Sequence, residues 1–318
     1  MVNTTFRQYS RMLVPFDGSE VAESVFVYVK ELAARLSLDV TVLRVCGNQE
    51  KEHLPMHQGY IEQTADALLY QSHQVRRMLG TEGGANGLSV HGELCVGRPG
   101  EEIVRHAQEN DIDLIVMATH GRSGIKRWAM GSVADEVLHA CKVPIWLVRA
   151  SAPQRLAYDR WPSKNILVPL DGSPLAESVL PHVEALALHD SEAAEVILVT
   201  VCEYSVVPDD NGDGPPSGWE TAMRHEIATA RRHAARYLSH VEQRLTDAGV
   251  KVRCEVLAGD PADKLVHIAE DYPYALVAMA THGRSGLTRW AYGSVADKML
   301  HALSCPLLLV RPSQVLSQ

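Results

Sequence analysis

The feature that most constrains this chain is that it repeats itself. Met12-Leu13-Val14-Pro15-Phe16-Asp17-Gly18-Ser19 returns as Ile166-Leu167-Val168-Pro169-Leu170-Asp171-Gly172-Ser173, and Ala22-Glu23-Ser24-Val25 returns as Ala176-Glu177-Ser178-Val179. Ala118-Thr119-His120-Gly121-Arg122-Ser123-Gly124, running on to Gly131-Ser132-Val133-Ala134-Asp135, comes back as Ala280-Thr281-His282-Gly283-Arg284-Ser285-Gly286, running on to Gly293-Ser294-Val295-Ala296-Asp297. The loop copies lie further apart than the strand copies, so the second half carries a net insertion between them. Repetition on this scale implies one structural unit used twice. With 318 residues, 46% of them apolar, each unit can bury its own core. The expected domains are 1–150 and 164–318, joined by a linker over about 151–163.

Within each half, short apolar runs alternate with helical segments. Strands are expected over 12–16, 40–46, 89–96, 114–118 and 144–149, and again over 165–170, 195–202, 252–258, 275–280 and 306–311. Helices are expected over 20–36, 61–79, 100–110 and 132–140, then 174–188, 220–248, 262–270 and 294–302. Apolar strands separated by helices predict an α/β fold, a doubly wound parallel sheet covered on both faces, twice over. The Pro/Gly/Asp-rich stretch 205–218 reads as a surface loop, or as a lid over a ligand.

A net charge of −9 and a pI near 5.9 argue against a general nucleic-acid binder. The first eleven residues hold no signal-peptide core, and no apolar run approaches a membrane span, so a cytoplasmic protein is expected. The six cysteines form no Cys-x-x-Cys pair and read as buried thiols of a reducing compartment.

The duplicated loops carry the chemistry. Glycines let backbone N–H groups approach an anion, and a Gly-Ser pair at a helix start adds free donors, a hydroxyl and the positive end of the helix dipole. The alternative is a turn with a serine N-cap, which needs no ligand. Asp17 and Asp171 follow the first strand of each half. There an acid can accept ribose hydroxyls or hold magnesium, or close an Asx turn onto the next helix. His120 and His282 suit loop orientation or a phosphate hydrogen bond better than general-base catalysis, since no nucleophile motif accompanies them. Arg127 and Arg289 match each other, as do Trp128 and Trp290; the arginines read as phosphate contacts or solvated charges, the tryptophans as packing or interface residues rather than base-stacking platforms. His53 and His57, separated by Pro55, and His225, His233 and His240 read as solvated surface rather than metal ligands. There is no G-x-x-x-x-G-K-[ST] loop, no G-x-G-x-x-G after the first strand and no G-x-S-x-G elbow.

These residues resemble the universal stress protein family in its tandem form, over nearly the whole chain. The nucleotide-binding branch of that family carries G-x-x-G-x9-G-[ST]; here the aligned loops begin with Ala118 and Ala280 in place of the first glycine. The resemblance implies a sheet of order 3-2-1-4-5 that binds ATP, or another adenine nucleotide, with magnesium. Val45 and Val201 would offer backbone contacts to adenine. Pro15, Asp17, Pro169 and Asp171 would form the floor and the ribose/metal side of each site. Gly121, Gly131, Ser132 and Val133 would cradle the phosphates in the first half, and Gly283, Gly293, Ser294 and Val295 in the second. Met117, Ala118, His120 and Arg122 complete the first set, and Met279, Ala280, His282 and Arg284 the second. The family also pairs domains through the fifth strand, so 144–149 and 306–311 are expected to meet within the chain, with a homodimer left open. The implied role is a nucleotide-dependent stress-response regulator or scaffold without catalytic residues. The rivals are a nucleotide-free interaction module and a slow ATPase.

Overall fold

The computed structural model describes residues 9–81, 88–119, 130–149, 165–188, 194–203, 219–271, 276–282 and 292–312. The first half runs β1 (Arg11–Pro15), α1 (Glu20–Glu23), α2 (Phe26–Leu36), β2 (Asp39–Cys46), α3 (Leu54–Met78), β3 (Ser89–Val96), α4 (Pro99–Glu109), β4 (Leu114–Ala118), α5 (Ser132–Ala140) and β5 (Ile145–Val148). The second runs β6 (Asn165–Pro169), a 3-10 turn (Ala176–Val179), α6 (Leu180–Leu188), β7 (Glu195–Cys202), α7 (Trp219–Asp247), β8 (Lys251–Ala258), α8 (Pro261–Asp271), β9 (Leu276–Ala280), α9 (Ser294–Ala302) and β10 (Leu307–Val310). Among the described residues no helix is long and apolar enough to cross a membrane.

Each half has the expected strand order, and the two join into one sheet, β3-β2-β1-β4-β5-β10-β9-β6-β7-β8. Every pairing is parallel except the central one, where β5 and β10 run antiparallel with Leu308 opposite Trp146. The fifth strands therefore meet within the chain, as expected. Alternating side chains feed two cores, one on each face. Met12 and Val14 belong to the core that gathers α2, α3, α6 and α7, while Leu13 belongs to the one that gathers α4, α5, α8 and α9. Both cores draw residues from both halves, so the join is sealed by apolar packing above and below the strands as well as by strand hydrogen bonds.

Helix ends reinforce the join. Arg149, just after β5, donates to the carbonyls of Leu300 (3.1 Å) and His301 in α9. Arg311, just after β10, donates to the carbonyl of His139 in α5 at 2.7 Å. Each half thus places a cation on the negative end of the other's last helix.

Two expectations need correction. The helices expected over 20–36 and 174–188 are each interrupted near the start. Ser24 Oγ donates to Val21 O at 2.6 Å and Ser178 Oγ to Leu175 O at 2.7 Å; both hydroxyls compete for helix carbonyls and tighten the turn. In the second half Pro181 also lacks the N–H that would continue the ladder. The helix expected over 61–79 starts earlier, at Leu54, with Pro55 in its first turn. There the missing N–H costs nothing, so Pro55 begins the helix and brings the His53 and His57 rings to 6.4 Å. His225, His233 and His240 are exposed on α7, as expected.

Candidate functional site

In each half the strand order reverses between the first and fourth strands, which leaves a crevice at their carboxyl ends. The turn after β1 is built by Asp17, whose Oδ1 accepts from Ser19 N (3.0 Å) and Ser19 Oγ (2.6 Å), while Ser19 Oγ caps Ala22 N at 3.2 Å. After β6, Asp171 Oδ1 accepts from Ser173 N at 2.9 Å, and Ser173 Oγ caps Ala176 N at 3.1 Å. Gly18 and Gly172 between them sit at φ 80° and 83°, where a side chain would be strained. The Asx turn is thus realised in both copies, and it fixes each carboxylate at the mouth of its crevice.

The opposite wall is a helix N-terminus. Thr119 N donates to Val148 O (2.9 Å) and Gly131 N to Thr119 O (2.8 Å); Thr281 N donates to Val310 O (2.9 Å) and Gly293 N to Thr281 O (2.8 Å). These bonds pin the start of α5 and α9 beside the ends of β4 and β9. The N-cap residues are Gly131 and Gly293, and neither helix has a side-chain cap. Ser132 and Ser294 occupy the first helical position instead, so the serine-cap alternative does not describe these turns. The first-turn N–H groups of Ser132, Val133, Ser294 and Val295 have no partner within the helix, in the geometry that receives anions.

In the second half these elements enclose a cleft of about 280 Å³, near the lower end of small-molecule sites, about 300–1,000 Å³. It brings together Pro169, Asp171, Val201, Met279, Ala280, His282, Gly293, Ser294 and Val295. His282 is buried, with Nδ1 3.0 Å from Thr281 Oγ1. In the first half Pro15, Asp17, Val45, Met117, Ala118, Gly131, Ser132 and Val133 occupy the equivalent strand ends and helix start. His120, Gly121, Arg122, Gly283 and Arg284 lie outside the described residues, as do Arg127, Trp128, Arg289, Trp290 and 205–218.

The cleft also uses residues that sequence reasoning passed over. Glu203 follows β7, and Pro261 and Leu265 of α8 form an apolar side. A proline opening a helix straight after a strand marked that wall, in Pro99 and again in Pro261. As donor chemistry, the Asp17 and Asp171 carboxylates are hard oxygen ligands that suit magnesium carried on phosphate oxygens.

The Cys95, Cys254 and Cys305 thiols fit a structural role. Burial raises Cys95 and Cys305 to about 11 and, with Glu242 nearby, Cys254 to about 12. All six cysteines are free.

The model of the Universal stress protein family matches this chain twice, over residues 8–149 and 162–311. Universal stress protein Rv2005c of Mycobacterium tuberculosis is 24% identical over 319 residues, covering 96% of this chain and 99% of its own length. Universal stress protein MJ0531 of Methanocaldococcus jannaschii is 30% identical over 149 residues, 46% of this chain and 82% of its own. Among solved structures, a universal stress protein from Archaeoglobus fulgidus superposes with a TM-score of 0.64 at 19% identity, covering 96% of this chain and 100% of its own.

Proposed function

This chain belongs to the universal stress protein family, and from that premise we propose that each half, 1–150 and 164–318, binds one adenine nucleotide, ATP foremost, with magnesium. The linker over about 151–163 connects two binding units, and the loaded state is what partner proteins read in a cytoplasmic stress response. The observation that carries this reading is the pair of helix N-termini, capped only by Gly131 and Gly293, each set across a crevice from a fixed carboxylate.

In the second half, Val201 at the end of β7 presents its backbone to the adenine. Asp171 faces the ribose and the metal, and the N–H groups of Ser294 and Val295 receive phosphate oxygens with the α9 dipole behind them. Val45, Asp17, Ser132 and Val133 do the same in the first half. His120 and His282, with Arg122 and Arg284, complete the phosphate side. Magnesium neutralises phosphate charge when it is bound with the nucleotide. Hydrolysis is expected to be slow, because no nucleophile motif accompanies His120 and His282 in the sequence.

Valine at Gly131 or Gly293 would put a branched side chain at the mouth of the cradle. By calorimetric titration with magnesium-ATP, each single variant is expected to lose one of two binding events, and the double variant both. Unchanged stoichiometry and affinity in the double variant would overturn the assignment.

A further inference from the structure

Behind the first crevice, on the α3 side of β2, three side chains with metal-ligating atoms converge. The ligand atoms of Cys46, Glu50 and His57 all lie within 4.8 Å of one another. Local structure brings them together. Cys46 ends β2, Glu50 sits in the 3-10 turn Asn48–His53, and His57 lies in the first turn of α3. That early helix start at Pro55 is what delivers His57 to the cluster.

The carboxylate is held in place before any ion arrives. Glu50 Oε2 accepts from Gly47 N at 3.0 Å, and Oε1 lies 3.4 Å from Arg44 and 3.6 Å from His57 Nε2. Arg44 is in turn fixed by donating to Asp17 O at 2.8 Å. Cys46 is fully buried, whereas the His57 and Glu50 side chains are 13% and 30% exposed, so the cluster opens to solvent on one side. Val45, one residue earlier, packs in the core on the α4 side of the sheet together with Cys95. Strand alternation therefore sends Cys46 to the α3 side, away from the crevice wall formed by α5.

We propose that Cys46, Glu50 and His57 bind one divalent transition-metal ion of the zinc class. One thiolate, one imidazole and one carboxylate make a donor set that zinc accepts, with a fourth position left for water. The softness of sulfur selects against magnesium and calcium, and the Arg44 cation beside Glu50 further disfavours ions that bind by charge alone. On binding, the thiol proton leaves to solvent as the metal–sulfur bond forms. The ion ties the end of β2 to the start of α3.

The site belongs to the first half. Cys202 repeats Cys46, but Thr200 stands at the position of Arg44 and donates to Leu170 O at 2.9 Å. Cys202, Glu203 and His233 there line an open cavity of about 480 Å³, and among the described residues they form no close ligand group.

The test is titration of the full-length protein with cobalt(II), then zinc, in excess magnesium so that phosphate and carboxylate sites are already filled. One cobalt per chain is expected to give thiolate-to-cobalt charge-transfer absorption that zinc abolishes, with release of one proton. Cys46→Ser should remove the band, and His57→Gln should weaken binding by at least about tenfold. Cys95→Ser should change neither, and circular dichroism confirms that each variant is folded. No thiolate band at stoichiometric cobalt, or a band that survives in folded Cys46→Ser, would overturn the proposal.

Discussion

At the scale of single residues, His106 shows how burial sets a charge state. It lies on α4 with Nδ1 3.7 Å from Glu93. Its pKa is lowered, chiefly by burial; Glu93 and Glu109 oppose the shift, and Arg105 and His91 add to it. A histidine whose folded pKa lies below its unfolded value of about 6.5 binds fewer protons folded than unfolded as the solution turns acidic. Its contribution is fully present above the unfolded pKa and is lost as pH falls through the folded one. Denaturant melts between about pH 7 and about pH 5 should show stability falling, with a shallower slope in His106→Gln. An identical slope in that variant would exclude the group. The turn residues belong to the same scale. Asp17, Gly18 and Ser19, with their copies Asp171, Gly172 and Ser173, were legible in the sequence because their work is local: a carboxylate, a left-handed glycine and a hydroxyl within three consecutive residues.

At the scale of elements, the strands were legible because apolar runs bounded by turns leave few alternatives, and their order was what the family resemblance implied. Helix starts were less so. The sequence carries Pro55, Ser24 and Ser178 openly, but whether a proline begins a helix or blocks it, and whether a serine hydroxyl bonds back, depends on what packs alongside. Gly92 is the clearest case of such packing. A Cβ there would stand 2.8 Å from Ile61 O and 2.9 Å from Ile61 C, because α3 crosses β3 with backbone against backbone. Gly92→Ala is expected to destabilise the protein by about 1–3 kcal/mol, through displacement of α3. A melting temperature equal to that of the parent would show that the helix can lift away without cost. The α8 wall of the second crevice escaped the sequence reading for a related reason. Pro261 and Leu265 carry no ligand chemistry and reach the cleft only through tertiary packing.

For the whole molecule, the duplication has a consequence beyond two similar halves. The antiparallel β5–β10 pair, the two shared cores and the reciprocal contacts of Arg149 and Arg311 join both halves into one sheet. The pairing itself was expected from the family resemblance. The arginine contacts were not, since partners more than 150 residues apart leave no local signature. Tyr292, beside Gly293, places its hydroxyl 3.2 Å from His139 Nδ1 on α5, so the α9 side of one crevice touches the helix that opens the other. The central claim is that both crevices bind adenine nucleotide. It is tested most directly by gently denaturing freshly purified protein, chromatographing what is released, and titrating the emptied, refolded chain with magnesium-ATP. The account predicts that the emptied chain binds two adenine nucleotides, and that what is released on denaturation is whatever share of those two sites was already filled. No nucleotide released and none bound on titration would contradict it.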